Sequence, residues 1–378
     1  MDFLDEELEA LQSAGRRREP RVISQRQGAR VTVDGQTLIN VSSNDYLGLA
    51  THPALVAAAT AAMVEGGVGA GASRLVTGNV ALAAALESEL AAFHGLPAAR
   101  LFNSGYAANA GIIPVLVEKG DVVFSDELNH ASIIDGCRLS RAMVQVYRHR
   151  DVGHLAELLE RHGGRRRLVV TESLFSMDGD LAPLADLRAL SAAQGAMLMV
   201  DDAHAVGAIG DGRGLGTAAG ADLVVGTLGK AFGAAGAYVL GSRALADLLW
   251  NRARSLVFST GLAVPVLAAA RAALALIASE EGAARRARLR QIEERIGRGG
   301  YIIPLIVGDD RRAMEAMRWL QEAGVLIQAI RPPTVREGTA RLRLSLTSGL
   351  TDPDVAVVSR LVREMDDAGW FVPRGTPG

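Results

Sequence analysis

A single lysine stands in a turn of small residues, Thr227-Leu-Gly-Lys-Ala-Phe-Gly233, directly after an apolar run. That run, residues 223–225, is typical of a buried strand. A lysine amine becomes a useful nucleophile when burial or cationic neighbours suppress its charge. Gly229 and Gly233 would let a large planar group approach the backbone closely. The alternative is a surface lysine in a glycine-rich loop, because a lone Gly-Lys pair does not identify a site.

Carboxylate and imidazole side chains follow two other predicted strands. Asp201 and His204 come immediately after the apolar run of residues 197–200. A carboxylate at the end of a buried strand needs a positive partner, because an unpaired buried charge is very costly. A protonated pyridine nitrogen is such a partner, so Asp201 and Lys230 together indicate a Schiff base with pyridoxal phosphate. His130, in a polar loop after another strand, is compatible with the same site and with a structural role.

A phosphate site is predicted in the segment Asn103-Ser-Gly-Tyr-Ala-Ala-Asn109, where a strand turns into a helix. The first N–H groups of a helix have no intrahelical partner and attract anions. Gly105 would allow a phosphate to approach closely, although an ordinary helix cap has the same pattern. Nucleotide fingerprints are not supported, since Ala231 replaces the Ser or Thr of a phosphate loop and residues 66–78 contain no GxGxxG.

The bulk properties exclude several function classes. The chain has 378 residues, 49% of them apolar, and a formal net charge of −2. This length can bury a large core, and the charge favours neither nucleic acid nor an anionic membrane as a partner. The lone Cys137 excludes a disulfide framework, and the histidines show no metal-ligand spacing. The N-terminus lacks a signal sequence and no apolar run is long enough to span a membrane, so we expect a cytoplasmic enzyme.

Short apolar runs alternate with helical patterns between residues 101 and 240. The helical patterns cover residues 106–117, 152–161 and 184–194. This alternation predicts an α/β domain with a mostly parallel sheet covered on both faces. Ligands of such folds bind at the carboxyl ends of the strands. The predicted strands are residues 101–102, 122–125, 144–147, 168–171, 197–200, 223–225 and 237–240.

The two ends of the chain lack the regular alternation of strands and helices that residues 101–240 show. Residues 2–14 predict an amphipathic helix, and Asp34-Gly35 predicts the turn of a hairpin over residues 31–38. We expect an N-terminal arm over residues 1–40, a large domain over residues 41–265 and a smaller α+β domain over residues 266–378. Further helices are predicted at residues 53–63, 265–277, 282–296, 311–323 and 353–368, and further strands at 301–307, 325–329 and 340–345.

Six segments together resemble the α-oxoamine synthases, a family of fold-type I pyridoxal phosphate enzymes. The resemblance extends from about Arg16 to Leu361, and the motifs are specific when they occur jointly. It implies a large domain with a mostly parallel seven-stranded sheet and a smaller α+β C-terminal domain. The segment between Arg290 and Tyr301 is shorter than the family pattern, so a strand or turn is expected to be missing there. The six segments are SSNDYLGL (42–49), NHASIIDG (129–136), ESLFSMDGD (172–180), DDAHAVGAIG (201–210), TLGKAFG (227–233) and RPPTV (331–335).

The resemblance implies a role for each matching residue. Lys230 would carry the cofactor and shuttle a proton, Asp201 would pair with the ring nitrogen, and His130 would stack on the ring. Other cofactor contacts are implied for Gly105, Tyr106, Ser176, His204 and Thr227, and for Ser259 and Thr260 across a homodimer interface. Substrate contacts are implied for Asn44, Thr334, Arg343 and Arg16.

Two of the residues with implied substrate contacts, Arg343 and Arg16, are arginines. A planar guanidinium can hold a carboxylate with two parallel hydrogen bonds, and the resemblance implies that Arg343 holds the amino-acid carboxylate in this way. Arg16 is the first of three consecutive arginines, and the resemblance implies that one of them contacts the acyl donor. The register of this run leaves open which one does so, and the run is equally compatible with a solvated stretch.

Within the family, RPPTV and residues 338–347 resemble the branch that condenses L-alanine with a pimeloyl thioester. In the implied reaction the alanine Cα attacks the thioester, the thiol leaves, and loss of CO2 gives 8-amino-7-oxononanoate for biotin biosynthesis. The acyl carrier, coenzyme A or acyl carrier protein, stays open. One rival is another α-oxoamine synthase, such as 2-amino-3-ketobutyrate CoA ligase. A non-catalytic partner subunit is disfavoured by the presence of Lys230, and a plain nucleotide-binding module leaves Asp201, His204 and Lys230 unexplained.

Overall fold

The computed structural model describes residues 2–372. Within them the chain forms thirteen helices and fourteen strands. The helices are α1 (Asp2–Ser13), α2 (Pro53–Gly66), α3 (Ala81–His94), α4 (Gly105–Leu116), α5 (Ala131–Ser140), α6 (Val152–Arg161), α7 (Leu184–Ala193), α8 (Arg243–Arg252), α9 (Arg254–Val257), α10 (Val264–Ile277), α11 (Glu280–Ile296), α12 (Asp310–Glu322) and α13 (Asp352–Asp367). The strands are β1 (Ile23–Gln27), β2 (Arg30–Val33), β3 (Gln36–Asn40), β4 (Ala98–Phe102), β5 (Val122–Asp126), β6 (Met143–Tyr147), β7 (Arg167–Glu172), β8 (Met197–Asp201), β9 (Leu223–Thr227), β10 (Ala237–Gly241), β11 (Ile302–Gly308), β12 (Val325–Leu326), β13 (Gln328–Ile330) and β14 (Ala340–Ser345).

The larger of two compact units comprises residues 49–176 and 180–286. Its seven-stranded sheet has the order β4-β10-β9-β8-β7-β5-β6. Strand β10 is antiparallel to both neighbours, and the other pairs are parallel. Every residue of β5, β9 and β10 is buried, which explains why these strands read as continuous apolar runs. The predicted α/β class and its seven-stranded, mostly parallel sheet are confirmed.

Helices cover both faces of this sheet. Along β5, Val123 packs into one apolar cluster together with residues of α4 and α5. Its neighbours Val122 and Phe124 pack into a second cluster with residues of α6 and α7. Alternate residues of a strand point to opposite faces. The polar residues that follow the strands are thus left at the strand ends, outside these two apolar layers.

Four helices, strand β1 and one strand break differ from the sequence-based expectation. The predicted elements do not include β1, α3, α5, α8 and α9. In α5, a Cβ added at Gly136 would lie 2.6 Å from the carbonyl oxygen of Asn109, so glycine there permits close packing on α4. The single strand predicted over residues 325–329 was wrong. It divides into β12, which pairs with β3, and β13, which pairs with β14.

The smaller unit comprises, among the described residues, 2–48, 177–179 and 287–372. It contains two sheets, β1-β2-β3-β12 and β11-β14-β13. The predicted hairpin is present as β2 and β3, and its turn residues Asp34 and Gly35 have φ angles of 49° and 79°. These left-handed values match a two-residue turn that follows the twist of the strands.

The predicted division into residues 1–40, 41–265 and 266–378 stays a prediction, and residues 1 and 373–378 lie outside the described ones. Contacts group residues 2–48 with the C-terminal residues, and they group α10 with the larger unit. Helix α11 ends at Ile296, and a turn with positive φ at Gly297, Gly299 and Gly300 leads to β11. None of the helices within residues 2–372 combines the length and apolar composition that crossing a bilayer requires.

Candidate active site

Lys230 lies in a tight turn directly after β9. The N–H of Gly233 donates to the carbonyl oxygen of Lys230 at 2.8 Å and closes this turn. Gly233 has a φ of 65°, and an added Cβ would lie 2.4 Å from the backbone nitrogen of Ala50. A residue larger than glycine would therefore strain the turn and clash with the backbone. The turn fixes the backbone of Lys230 at the end of a buried strand.

The structure brings Lys230 together with His204. The lysine Nζ lies 2.7 Å from Nε2 of His204, which is buried. His204 follows β8, and β8 is the parallel neighbour of β9. Because the carboxyl ends of parallel strands meet at the same edge of the sheet, the two side chains reach each other there.

Asp201 ends β8 and is held by two donors. Its Oδ2 accepts from Nδ2 of Asn109 at 2.6 Å, and its Oδ1 accepts from the N–H of Ala203 at 2.9 Å. Only 5% of Asp201 is exposed. The Oδ1 of Asn109 is buried and has no hydrogen-bond partner among the described residues. Sequence reasoning did not assign a role to Asn109, although it ends the segment singled out for phosphate binding.

His130 caps α5 and is held in one orientation. Its Nδ1 accepts from the N–H of Ser132 at 3.2 Å, which leaves the ring proton on Nε2. Burial lowers the pKa of His130, and although Asp201 raises it, the Lys230 charge lowers it again. A neutral, oriented imidazole suits stacking on an aromatic ring, as the resemblance implies.

Glu172 is a buried carboxyl that sequence reasoning did not single out. It ends β7, and its Oε1 accepts from the N–H of His130 at 2.7 Å. The backbone N–H of Ser176 also bonds to this carboxyl. Burial and the neighbouring Asp201 raise the pKa of Glu172. A signal was present, because Glu172 follows its strand as Asp201 follows β8, and it lies within the ESLFSMDGD segment.

The start of α4 presents an open surface for an anion. Ser104 caps the helix by accepting from the N–H of Ala107 at 3.1 Å. The preceding N–H groups, of Gly105 and Tyr106, are too early in the helix for intrahelical partners. A Cβ added at Gly105 would meet nothing within 4 Å, so space is open above this turn. The Tyr106 hydroxyl donates to Asp135 at 2.5 Å.

Thr227, Ser259 and Thr260 are the other residues predicted to contact the phosphate, and their surroundings differ from those at the start of α4. The Thr227 hydroxyl donates to the carbonyl of Gly236 and accepts from the N–H of Gly229, each at 3.1 Å, so it holds the lysine turn. Ser259 is half-buried and Thr260 is exposed. The Thr260 carbonyl accepts from the side chain of Asn103 at 2.9 Å, which ties the strand end before α4 to this segment.

The predicted substrate residues lie in the smaller unit. Arg343 is buried, and its Nη1 donates to Oδ1 of Asn44 at 3.1 Å and to Oγ of Ser345 at 2.7 Å. The structure thus brings Arg343 and Asn44 together. Arg16 instead pairs with Asp310 and Glu337, at 3.2 and 3.0 Å. Thr334 is contacted by Arg18, whose Nη2 donates to its hydroxyl at 3.0 Å.

The larger unit's residues fit pyridoxal phosphate. Lys230 offers an amine to an aldehyde, and the buried Asp201 carboxylate suits a protonated ring nitrogen. The open start of α4 suits the phosphate. The orphaned Oδ1 of Asn109, beside Asp201, is a further polar atom without a protein partner among the described residues. The set contains the parts that this cofactor needs.

Comparison with known proteins supports the same assignment. The family profile of aminotransferase class I and II matches residues 36–361. An 8-amino-7-oxononanoate synthase of Geobacter sulfurreducens is 50% identical, over 95% of this chain and 97% of that protein. A solved serine palmitoyltransferase of S. paucimobilis, with a bound PLP–myriocin aldimine, superposes with a TM-score of 0.90 at 29% identity, over 97% of each chain.

A solved 8-amino-7-oxononanoate synthase of Francisella tularensis superposes with a TM-score of 0.74 at 28% identity, over 88% of this chain and 99% of that one. The predicted resemblance to the α-oxoamine synthases is therefore confirmed, and pyridoxal phosphate is the cofactor. The chain belongs to the aminotransferase class I and II family of pyridoxal phosphate-dependent enzymes.

Proposed function

We propose that the protein condenses L-alanine with a pimeloyl thioester, releasing CO2 and the thiol and forming 8-amino-7-oxononanoate in biotin biosynthesis. Curated relatives with this activity in their names are about half identical over nearly their full length. The single observation that carries the chemistry is the Lys230–His204 contact of 2.7 Å. It places an amine for covalent and proton-transfer chemistry at a sheet edge that also carries Asp201.

Each site residue of the larger unit has a defined role in this proposal. Bound pyridoxal phosphate supplies an electron sink for the carbanion formed at the alanine Cα. Lys230 would hold the cofactor through its amine, and the same amine would accept the alanine Cα proton and later return it. His204 orients this amine. Asp201 holds a negative charge for the ring nitrogen, and Asn109 and the N–H of Ala203 stabilise that charge.

The substrate carboxylate is assigned to Arg343. Asn44 and Ser345 orient its guanidinium through hydrogen bonds of 3.1 and 2.7 Å. Because the side chain is buried, an anion bound to it is poorly screened by water. The new bond joins the alanine Cα to the thioester carbonyl carbon, and the alanine carboxylate then leaves as CO2. Arg343 would therefore hold the group that is finally lost.

We further propose a cytoplasmic homodimer in which Ser259 and Thr260 of one chain contact the cofactor phosphate of the other. Residues 56–76 of the larger unit include six exposed large apolar side chains, and exposed apolar surface of this kind suits an interaction with another chain. A lone cysteine suits a reducing compartment. The exposed side chains are Val56, Met63, Val64, Val68, Leu75 and Val76, together with Phe258.

The test uses an unusual feature of the sequence, which contains only two lysines, Lys119 and Lys230. Borohydride reduction followed by peptide mapping should place the cofactor on Lys230. Lys230→Ala should lose the visible absorbance of the bound cofactor and at least a thousandfold of turnover. Lys119→Ala, at an exposed position, is the matched control and should keep both.

Three outcomes would overturn the proposal. The first is a cofactor label on Lys119, and the second is full turnover by Lys230→Ala. The third is preferential turnover of glycine with acetyl-CoA, which would favour the 2-amino-3-ketobutyrate CoA ligase reaction. A panel of both amino acids with both thioesters distinguishes the two reactions. The identity of about 50% to the synthases favours the pimeloyl reaction.

A further inference from the structure

Four polar side chains form a continuous chain of hydrogen bonds across the active site of the larger unit. The chain begins at His130 and ends at Asp201, and Ser132 and Asn109 stand between them. His130 caps α5 and Ser132 is the second residue of that helix, while Asn109 lies in α4. The resemblance gives roles to the two ends of this chain of bonds and none to Ser132. We call the four side chains the polar bridge.

The packing of α4 against α5 positions the middle of the polar bridge. Ser132 and Gly136 are four positions apart, so they share one face of α5. Nδ2 of Asn109 lies 3.0 Å from Oγ of Ser132. The carbonyl oxygen of Asn109 would lie 2.6 Å from a Cβ added at Gly136. Asn109 and Ser132 are each only 1% exposed, so the close approach that Gly136 permits joins two buried polar side chains.

The hydrogen bonds of the polar bridge have directions that follow from its fixed donors. The backbone N–H of Ser132 can only donate, so Nδ1 of His130, 3.2 Å away, is an acceptor. The Ser132 hydroxyl lies 2.8 Å from the same nitrogen and must therefore donate to it as well. The hydroxyl oxygen is then left to accept from the Asn109 amide. The polar bridge thus admits a single arrangement of its protons.

This arrangement favours a neutral His130 ring with its proton on Nε2. A proton on Nδ1 would point at the backbone N–H of Ser132, which cannot reorient. Hydrogen bonds donated to the neutral form of a base disfavour its charged form. Within residues 2–372 the ring makes its hydrogen bonds through Nδ1. The Nε2–H is therefore left as a donor for a bound molecule.

The charged groups around His130 do not reverse this preference. Burial is the largest effect on the pKa of His130 and lowers it; Asp201 raises the pKa and Lys230 lowers it. The Glu172 carboxyl accepts from the backbone N–H of His130 rather than from its ring. The surroundings and the hydrogen-bond directions therefore both favour the neutral ring.

At its other end the polar bridge supports the charge of Asp201. Asn109 donates one amide hydrogen to Asp201 at 2.6 Å and the other to Ser132. A side-chain amide has two donor hydrogens and does not release them at neutral pH. The amide therefore holds the imidazole and the carboxylate in place without passing a proton between them.

We propose that Ser132 is a positioning residue of the active site, whose hydroxyl fixes the orientation and the tautomer of His130. A neutral imidazole can stack on an aromatic ring and leaves the negative charge of Asp201 to the ring nitrogen. A positively charged imidazole would share that charge, because opposite charges in a poorly solvated site attract strongly. The consequence for turnover rests on the proposed function, whereas the tautomer of His130 does not depend on it.

The test compares Ser132→Ala with Ser140→Ala in the cofactor-loaded full chain. Ser140 is the matched control, because it is a buried serine of the same helix whose hydroxyl donates to the carbonyl of Cys137 at 2.6 Å. NMR of protein labelled with 15N-histidine reports the tautomer of His130, whose signals are assigned by their loss in His130→Gln. We expect the wild type and Ser140→Ala to keep a neutral Nε2–H ring between about pH 6 and 9. In Ser132→Ala the tautomers should mix, and the ring should ionise with a pKa near the ordinary value of about 6.5.

Exchange of the alanine Cα proton with deuterated solvent adds a readout that needs the cofactor but no thioester. At pH 6, Ser132→Ala should exchange this proton about fourfold more slowly than the wild type, because about three-quarters of its His130 rings would be charged at a pKa of about 6.5. The deficit should be smaller at pH 8.5, where the ring is neutral again. Ser132→Thr keeps the hydroxyl and should recover both the rate at pH 6 and the Nε2–H signals.

Three results would overturn this role of Ser132. One is a Ser132→Ala protein that keeps the Nε2–H ring and the pH profile of the wild type, even if its melting temperature falls, because the serine would then support only the fold. Another is an equal change in Ser140→Ala. The third is a Ser132→Thr protein, as stable as the wild type, that does not restore the Nε2–H signals. The expected histidine signals in a chain that turns over no pimeloyl thioester would defeat the proposed function and leave the role of Ser132 standing.

Discussion

Two buried carboxyl groups end neighbouring strands and face each other in register, Glu172 on β7 and Asp201 on β8. Two adjacent carboxylates cannot both be charged cheaply in a buried site. The donors around them differ, since Asp201 accepts from the Asn109 amide while Glu172 accepts from backbone N–H groups. Burial and the neighbouring Asp201 raise the pKa of Glu172, which favours a protonated Glu172 at this edge of the sheet.

This division of roles makes Glu172 a positioning residue that can be tested. Glu172→Gln keeps a neutral acceptor of the same shape for the N–H groups of His130 and Ser176. We expect it to retain activity within about threefold and the absorbance of the bound cofactor. Glu172→Ala removes the acceptor and leaves a cavity, and it should lose activity about a hundredfold, equivalent to roughly 2–3 kcal/mol.

The pH dependence separates charge from shape at this position. A carboxyl whose pKa is higher in the folded than in the unfolded state contributes least to the free energy of unfolding at high pH. The wild type should therefore lose stability as pH rises above the usual pKa range of a Glu side chain. The variant Glu172→Gln should lack that part of the decline. Equal pH profiles for Glu172→Gln and the wild type, measured by denaturant unfolding, would contradict a protonated Glu172.

At the scale of elements, an imidazolium joins two of the connections that carry site residues. His149 follows β6, and its ring nitrogens lie 2.9 Å from Asp126 and 3.0 Å from Asp180. Asp126 ends β5 just before the loop to His130, and Asp180 closes the segment that contains Ser176. Burial lowers the pKa of His149, but the hydrogen bonds to Asp126 and Asp180 outweigh it and raise the pKa to about 9.

The raised pKa of His149 predicts a window of pH-dependent stability. The unfolded pKa is about 6.5, so the contribution is complete below that pH and is lost as pH rises through about 9. His149→Gln should be less stable than the wild type by about 2–3 kcal/mol at pH 6, and the difference should shrink by pH 10. His162→Gln, a half-buried histidine at the end of α6, is the control. A difference that does not change with pH would contradict a charged His149.

Local patterns predict those elements whose burial is continuous or alternating. The sheet strands and the Asp34-Gly35 hairpin are local in sequence and were found from it. Helix α5 could not be found in this way, because Gly136 serves its packing on α4 rather than any local preference. The break between β12 and β13 arises because β12 pairs with β3 and β13 pairs with β14. The local sequence of this segment does not specify these two partners.

The same distinction holds for the site. The sequence predicts that Lys230, Asp201 and His204 lie at one sheet edge, because each ends or follows a recognisable strand and parallel strands collect their ends at one edge. Asn109 lies within a predicted segment, but its bond to Asp201 depends on how α4 packs. A cavity in the smaller unit is lined by both Arg18 and Arg318, which are remote in sequence. Only the folded chain brings these charges together.

At the scale of the whole molecule, the proposed homodimer makes each active site a product of two chains. Hydroxyl groups can donate to a dianionic phosphate without adding charge to the site. In a twofold dimer the interface is isologous, so both sites receive the same contribution. The Ser259 and Thr260 side chains are at least partly accessible in the single chain, as a contact to a second chain requires. Loss of both hydroxyls should therefore weaken cofactor binding without removing Lys230.

Subunit exchange tests this arrangement. Lys230→Ala and Ser259→Ala/Thr260→Ala should each be inactive alone at a low cofactor concentration. In a heterodimer, one site takes Lys230 from the second variant and both hydroxyls from the first, so it is intact, while the other site carries both lesions. Random exchange makes about half of the dimers heterodimers, so about a quarter of wild-type activity per site should return. Mixing two differently tagged Lys230→Ala chains is the control and should restore none. If mass spectrometry verifies heterodimers and no turnover returns, or if an active monomer is found, the hydroxyls serve their own chain's site and the shared-site homodimer is wrong.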